Sequence, residues 1–360
     1  MASHLAPASA SSLRQARLAG GAIRLAGAAL LSLIGHGAAR ADAPLNYMVT
    51  YGSRAQSIAR LAWFTTSVSI LVIVIVTGLL LAAIYRARRR AAPELPGMAP
   101  VERPAGGISR IYIGVALTSI VLFVTTAWTF VTLADTANPP PGPPAAWIQI
   151  TGHQWWWEVR YLSDDVSQEF LTANEIHVPV GKVVDFTLRT ADVIHSFWVP
   201  ALAGKTDLIP GQENRTWIEA QRPGVYRGQC GEYCGEQHAH MALEVVASTP
   251  EEFEAWRKQQ VRSASSSLSG EAKAGQDLFT SRCGICHSVR GTTAGGSLGP
   301  DLTHVMSRET IGAAALPNTP GALAAWIADP QHIKPGNFMP QLGLSGPEMV
   351  LVRQYVESLK

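Results

Sequence analysis

Two stretches of this chain, residues 61–84 and 111–134, run for 24 residues each without a charged side chain. A helix needs about 20 apolar residues to cross a bilayer. The buried core helix of a soluble protein seldom keeps so long a charge-free run. The two stretches therefore predict a two-helix transmembrane hairpin. Between them lie Arg86, Arg88, Arg89, Arg90, Arg103 and Arg110, which the positive-inside rule places in the cytoplasm. Both ends of the hairpin, and everything beyond the second span, then face the periplasm or its equivalent.

Charge divides along the same line. Residues 1–134 hold 12 Arg against three acids, and residues 135–360 hold 17 basic against 24 acidic residues. A basic half beside membrane spans reads as topology, and the acidic half has no Lys/Arg run of the kind nucleic acid requires. At the N-terminus, Arg14, Arg17 and Arg24 precede a short apolar run. Ala39-Arg-Ala41 fits a small-x-small cleavage site, so residues 1–41 read as a signal peptide rather than a polar tail.

After the second span comes a stiff spacer, Pro139-Pro-Pro-Gly-Pro-Pro144. Residues 147–150, 155–161, 175–180, 183–188, 216–218 and 241–246 then alternate as short strands punctuated by Gly, Pro, Asn and Asp. This texture predicts an all-β sandwich or barrel. A Ser-rich stretch at 261–270 reads as flexible. Helices are expected at 270–282, 319–328 and 346–359, the last with Ser345 as N-cap.

All four cysteines fall in two motifs, which leaves none for a structural disulfide. The first motif reads Cys230-Gly-Glu-Tyr-Cys234-Gly-Glu-Gln-His238-Ala-His-Met241, with an isolated His195 upstream. Thiolate, imidazole and thioether are soft donors that favour copper. Zinc gains nothing from Met241, and a mononuclear blue-copper site uses only one Cys. The surplus thiolate fits a binuclear centre bridged by both sulfurs. The second motif, Cys283-Gly-Ile-Cys286-His287, is a c-type haem attachment signature. Haem attachment of this kind occurs outside the cytoplasm, in agreement with the predicted topology. Met339, flanked by prolines in Lys334-Pro-Gly-Asn-Phe-Met339-Pro, is the expected second axial ligand, ahead of Met306 and Met349. A copper site and a haem in one chain imply electron transfer.

The segment His195-Ser-Phe-Trp-Val-Pro-Ala-Leu-Ala-Gly-Lys205-Thr-Asp207-Leu-Ile-Pro-Gly211, the Cys230–Met241 run and Gly152-His-Gln-Trp155-Trp-Trp157-Glu together resemble subunit II of cytochrome c oxidase. The resemblance implies a cupredoxin-like Greek-key domain. It also implies Cu(A) ligands at His195, Cys230, Cys234, His238, Met241 and the backbone carbonyl of Glu232. The Glu232 side chain would reach a magnesium shared with subunit I, Trp155 would be the electron-input indole, and His240 would stand outside the ligand set. Residues 270–360 resemble a class I cytochrome c. That likeness implies thioethers at Cys283 and Cys286, His287 as proximal ligand, the Pro300 carbonyl as its hydrogen-bond acceptor, and Trp326 near a propionate. Fusion of the two is the pattern of the caa-type haem–copper oxidases.

The implied division is a signal peptide (1–41), a transmembrane hairpin (42–137), a Cu(A) domain (138–250), a linker (251–269) and a mainly α cytochrome c domain (270–360). The implied function is to pass electrons from cytochrome c through haem c and Cu(A) to subunit I. Oxygen reduction and proton translocation belong there, because the spans here have no His cluster for intramembrane haem. The implied partners are subunit I, further membrane subunits, a cytochrome c donor and the lipid bilayer. A Cu(A)-dependent nitric oxide reductase is the alternative, and only the partner subunit separates the two. A quinol oxidase subunit II would lack the copper ligands, and copper delivery would need no haem.

One family feature is missing. No carboxylate opens the second span, which begins Gly107-Ile-Ser109-Arg110, and Glu102 lies upstream. A proton-uptake role is therefore not assigned. The acidic excess lies in residues 135–267, with 17 acids against 10 bases, whereas residues 268–360 hold seven of each. A balanced haem domain should meet its donor through apolar and local polar contacts. Turnover with a soluble cytochrome c should then depend weakly on ionic strength, and a steep dependence would count against that docking mode.

Overall fold

The computed structural model describes residues 45–89, 107–264 and 268–360. Two long helices, α1 (Ser53–Arg89) and α2 (Gly107–Ala137), contain the two expected spans. They touch through Phe64 and Trp128, whose ring centroids are 5.0 Å apart, and otherwise expose their apolar side chains. Such exposure over this length fits a lipid solvent. The last turn of α1 carries Arg86, Arg88 and Arg89, and the first turn of α2 has no acid. The expected signal peptide and most of the Arg-rich loop, Glu102 included, lie outside the described residues.

Residues 146–248 form the β domain. One sheet has the order β3-β2-β1-β5-β8, built from β1 (Ala146–His153), β2 (Trp156–Leu162), β3 (Phe170–Ala173), β5 (Val184–Thr190) and β8 (Asn214–Ile218). A second has the order β4-β10-β9, from β4 (Glu175–Pro179), β9 (Gly224–Gln229) and β10 (Ala242–Ser248). A short antiparallel pair, β6 (His195–Phe197) and β7 (Thr206–Leu208), completes it. The period-two pattern sends Ile148 and Ile150 of β1, Trp157, Val159 and Tyr161 of β2, and Phe186 and Leu188 of β5 into one core. β1 pairs with β5, and β4 with β10, in parallel, whereas the neighbours along each sheet run antiparallel. Parallel pairing requires the chain to cross between sheets rather than turn back as a hairpin.

The membrane anchor is joined to this domain through its backbone. Tyr51 N donates to Ala201 O at 2.7 Å, Ala55 N to Leu202 O at 3.3 Å, and Gln221 N to Tyr51 O at 2.7 Å. Arg54 Nη1 donates to Thr216 Oγ1 and to Trp217 O. Gly52 makes this approach possible, because a Cβ there would stand 2.2 Å from Leu202 O.

The first part of the expected linker, residues 251–260, is helical. Pro250–Gln260 form a helix, α3, closed by a capping box between Thr249 and Glu252. Trp256 of α3 stacks on His177 at 4.0 Å and meets Phe170 edge-on at 5.6 Å. Beyond it, Arg262 O bonds the His304 ring at 2.9 Å, and Ala264 N donates to Arg290 O at 2.9 Å. A polar helix that buries only a few side chains leaves little periodic signal in the sequence.

The C-terminal region is helical: α4 (Gly270–Arg282), α5 (Pro320–Ala328), α6 (Pro330–Ile333) and α7 (Gly346–Glu357). The N-caps agree with the sequence. Thr319 Oγ1 accepts from Ala322 N, and Glu348 reaches back to Ser345 N at 2.8 Å. Phe279, Leu323, Ile327, Val352 and Tyr355 form a separate core. A two-residue pair, β11 (Thr310–Ile311) with β12 (Leu316–Pro317), turns toward the β domain. There Glu309 N donates to Glu175 Oε2 at 2.7 Å, Thr310 Oγ1 to Glu244 Oε2 at 3.1 Å, and Ala242 N to Ala313 O at 3.3 Å.

Gly52→Val should destabilise the joint between helix and β domain by about 1–3 kcal/mol, because the new side chain meets backbone rather than a movable side chain. Thermal unfolding of the purified subunit checks this, and an unchanged midpoint would show that the joint relaxes freely.

Candidate metal centres

The sulfur cluster is assembled by loops at one end of the β domain. Cys230 follows β9, and Met241 precedes β10. Cys230 N donates to Met241 O at 2.9 Å, which closes the intervening residues into a loop. Within it, Cys230 Sγ lies 3.8 Å from Cys234 Sγ and 3.2 Å from Glu232 O. Cys234 Sγ lies 3.5 Å from His238 Nδ1 and 3.7 Å from Met241 Sδ. His195 opens β6 on the opposite wall and brings Nδ1 to 4.0 Å from Cys230 Sγ. All the expected donors therefore converge. His240 faces outward and bonds Gln237 Oε1 at 2.7 Å, apart from the cluster.

Residues that sequence reasoning passed over hold these donors. The Nε2 of His195 pairs with Asp192 Oδ1 at 2.7 Å, which leaves Nδ1 facing the sulfurs. Burial opposes protonation of His195, but the Asp192 and Cys230 contacts outweigh it and raise its pKa. Asp192 also accepts from Gln154 N and Val193 N, and these bonds with His195 outweigh burial and lower its pKa. An acid three residues before a ligand histidine was the available signal. Gly152 is a second such residue, since a Cβ there would stand 2.7 Å from His195 Cδ2. In the thiol pair, the contact with Cys234 lowers the Cys230 pKa, and the same contact raises that of Cys234.

The second motif lines a cavity of about 490 Å³ in the helical region. Cys283, Cys286, His287 and Met339 all face it, with Trp326 on the wall. His287 Nδ1 bonds Pro300 O at 2.8 Å, which leaves Nε2 as the free donor nitrogen. Gly299 allows this contact, because a Cβ there would sit 2.6 Å from the imidazole. Met339 is held in a loop of turns and bends: its N–H donates to Asn337 Oδ1 at 2.8 Å, and its carbonyl accepts from Gln331 at 2.8 Å. Met306 and Met349 pack against the helical core and do not line the cavity.

Trp155 stands between the two sites. It is 7% exposed, its Nε1 donates to Cys234 O at 3.0 Å, and its ring lines the cavity wall. Trp156 stacks on His153 at 4.3 Å and lines the same cavity, whereas Trp157 is fully buried in the β core. Glu232 projects its carboxylate outward, 3.5 Å from Lys205 Nζ.

Two protein families and several known proteins match this chain. The family described as cytochrome c oxidase subunit II, periplasmic domain, matches residues 163–248, and the cytochrome c family matches residues 272–360. Cytochrome c oxidase subunit 2 of Alkalihalophilus pseudofirmus is 36% identical over 272 residues, covering 74% of this chain and 78% of that protein. The subunit 2 of Bacillus subtilis is 30% identical over 225 residues, covering 59% of this chain and 62% of the relative. The crystal structure of the periplasmic domain of subunit II of cytochrome oxidase of Bradyrhizobium japonicum is 34% identical. It covers 33% of this chain and 95% of that one, with a TM-score of 0.31. Two long apolar helices, a β domain with a soft-donor cluster and a cytochrome c region define a membrane-anchored electron-transfer protein. The chain belongs to the cytochrome c oxidase subunit II family.

Asp192→Ala should weaken copper retention about 10–100-fold, the usual cost of losing a carboxylate that orients a ligand histidine. Copper content after dialysis against a graded chelator checks this, and unaltered retention would show that the β6 backbone alone orients His195.

Proposed function

We propose that the chain is the electron-input subunit of a cytochrome c oxidase. Electrons from an external cytochrome c pass through its own haem c and a binuclear Cu(A) centre to subunit I, where oxygen is reduced to water with proton translocation. The observation that carries this reading is the position of Trp155, bonded to Cys234 on one side and lining the Cys283–His287 cavity on the other.

The donor set fits binuclear copper. Two sulfurs, two imidazoles, a thioether and a carbonyl come to six donors, more than the four that one tetrahedral ion takes. Both sulfurs are buried, so water is kept from the cluster. The donor set of the cavity fits a covalently held haem: two cysteines for thioethers, His287 and Met339 for the axial positions, and walls that are mostly apolar. When bound, each group takes up and passes on one electron. The chain's own residues fix His195 through Asp192 and His287 through Pro300, bury the sulfurs and keep the two sites in one body.

A magnesium ion shared with subunit I would take the outward Glu232 carboxylate as its ligand from this chain. That fits a cation that draws most of its shell from elsewhere. The lysine beside it, Lys205, would then have to move aside. The proposed division is a signal peptide (1–41), hairpin (42–137), copper domain (138–250), linker (251–269) and haem domain (270–360), with both redox domains on the outer face of the membrane.

Optical and EPR spectra of the purified oxidase test this. A delocalised copper signal, low-spin haem, and copper to iron in this subunit at roughly two to one are expected, and a zinc-loaded or mononuclear site would overturn it. Met339→Ala should lower the haem reduction potential and leave subunit copper unchanged, since Met/His ligation raises that potential. Redox titration with metal analysis checks it.

A further inference from the structure

Lys334 is a cation that nothing above accounts for. It is 3% exposed, and its Nζ donates to Trp155 O at 2.7 Å and to Gly312 O at 3.1 Å. Both of these acceptors are uncharged carbonyls. Burial without a paired carboxylate disfavours the ammonium and lowers its pKa to about 7. A lysine kept in so costly a place must contribute position. Its three segments show which position: Lys334 begins the loop that ends at Met339, Trp155 belongs to the β domain, and Gly312 borders the cavity. Two further contacts repeat the junction. Gln237 Nε2 donates to Pro335 O at 2.7 Å, and the Phe338 ring stacks on Trp155 with centroids 6.0 Å apart. The loop itself is rigid, since Asn337 Nδ2 donates to Pro330 O and Lys334 O.

We propose that Lys334 is a positioning residue that seats the 334–338 segment on Trp155, so that the chain's own haem domain permanently covers the tryptophan face of its copper domain. This rests on the functional reading above. The step served moves one electron from the haem site to the copper site. No bond forms or breaks, and no proton is required. An external donor is thereby confined to the haem domain, because the indole through which it could reach the sulfurs directly is already occupied.

The test compares Lys334→Met with Arg227→Met, which removes a contact on the same interface away from Trp155, the bond from Arg227 Nη1 to Ala314 O. Both are made in the full subunit within the assembled oxidase. In Lys334→Met, haem and copper content and spectra should match the unsubstituted protein, as should reduction of the haem by a small-molecule donor. Photoinduced electron transfer from haem to copper should slow several-fold, because the 334–338 segment is no longer seated on Trp155. Arg227→Met should leave that rate unchanged. Two readouts do not need the metals. Amide hydrogen exchange at 336–339 should rise in Lys334→Met. In the unsubstituted chain, Lys334 should resist acetylation while the exposed Lys182 and Lys258 react. Unaltered transfer and exchange in Lys334→Met, or labelling of Lys334 as readily as Lys182, would overturn the proposal. If the unsubstituted protein itself lacks copper or haem, the functional reading fails instead, and exchange and labelling still decide whether Lys334 seats the loop.

Discussion

The closure of residues 230–241 by the Cys230–Met241 backbone hydrogen bond is the constraint from which the copper end of the structure follows. Tied at its base, the loop turns two thiols, an imidazole and a thioether to one side, while Glu232 and His240 face out. Gln229 strengthens the closure by donating to both His238 O and Met241 O. Only His195 has to be brought from elsewhere, and β6 does so through Gly231 N, which donates to Ser196 O at 2.9 Å. The site is thus a local loop plus one imported ligand. Its geometry depends on few long-range decisions.

Close approach is the second theme, and glycine makes it possible at each site. Gly235 has φ +115°, and a Cβ there would press within about 3 Å of Gln154 and Trp155, the residues that bond Cys234 O. Gly299 does the same for His287. Two of the three metal-facing histidines, His195 and His287, have one ring nitrogen fixed by an oxygen, from Asp192 and from Pro300. This leaves the other nitrogen as the donor and settles its tautomer before any metal arrives.

Much of this was legible in the sequence, for physical reasons that differ by element. The spans were legible because charge is excluded from lipid. β1, β2, β5 and β10 were legible because one face of each is buried. The donors were legible because soft ligands at these spacings have few other uses. β6 and β7, three residues each, are too short to show a period, and β9 carries glycines where the pattern would be read. α3 hid because its buried Phe253 and half-buried Trp256 stand among charged neighbours. Lys334 could not be read at all. Its meaning lies in Trp155, 179 residues away, and nothing in the intervening sequence encodes that proximity.

The backbone joint at Tyr51–Ala55 has a mechanical consequence. With no slack between α1 and the β domain, the helix acts as a shaft. Its 37 residues span roughly 55 Å at about 1.5 Å per residue, against a hydrocarbon layer of about 30 Å. The height of the sulfur cluster above the membrane, and the compass bearing it faces, are then set by how this shaft sits in lipid. A single residue inserted into α1 would turn the shaft by about 100°. The copper domain, intact in every internal contact, would look the wrong way.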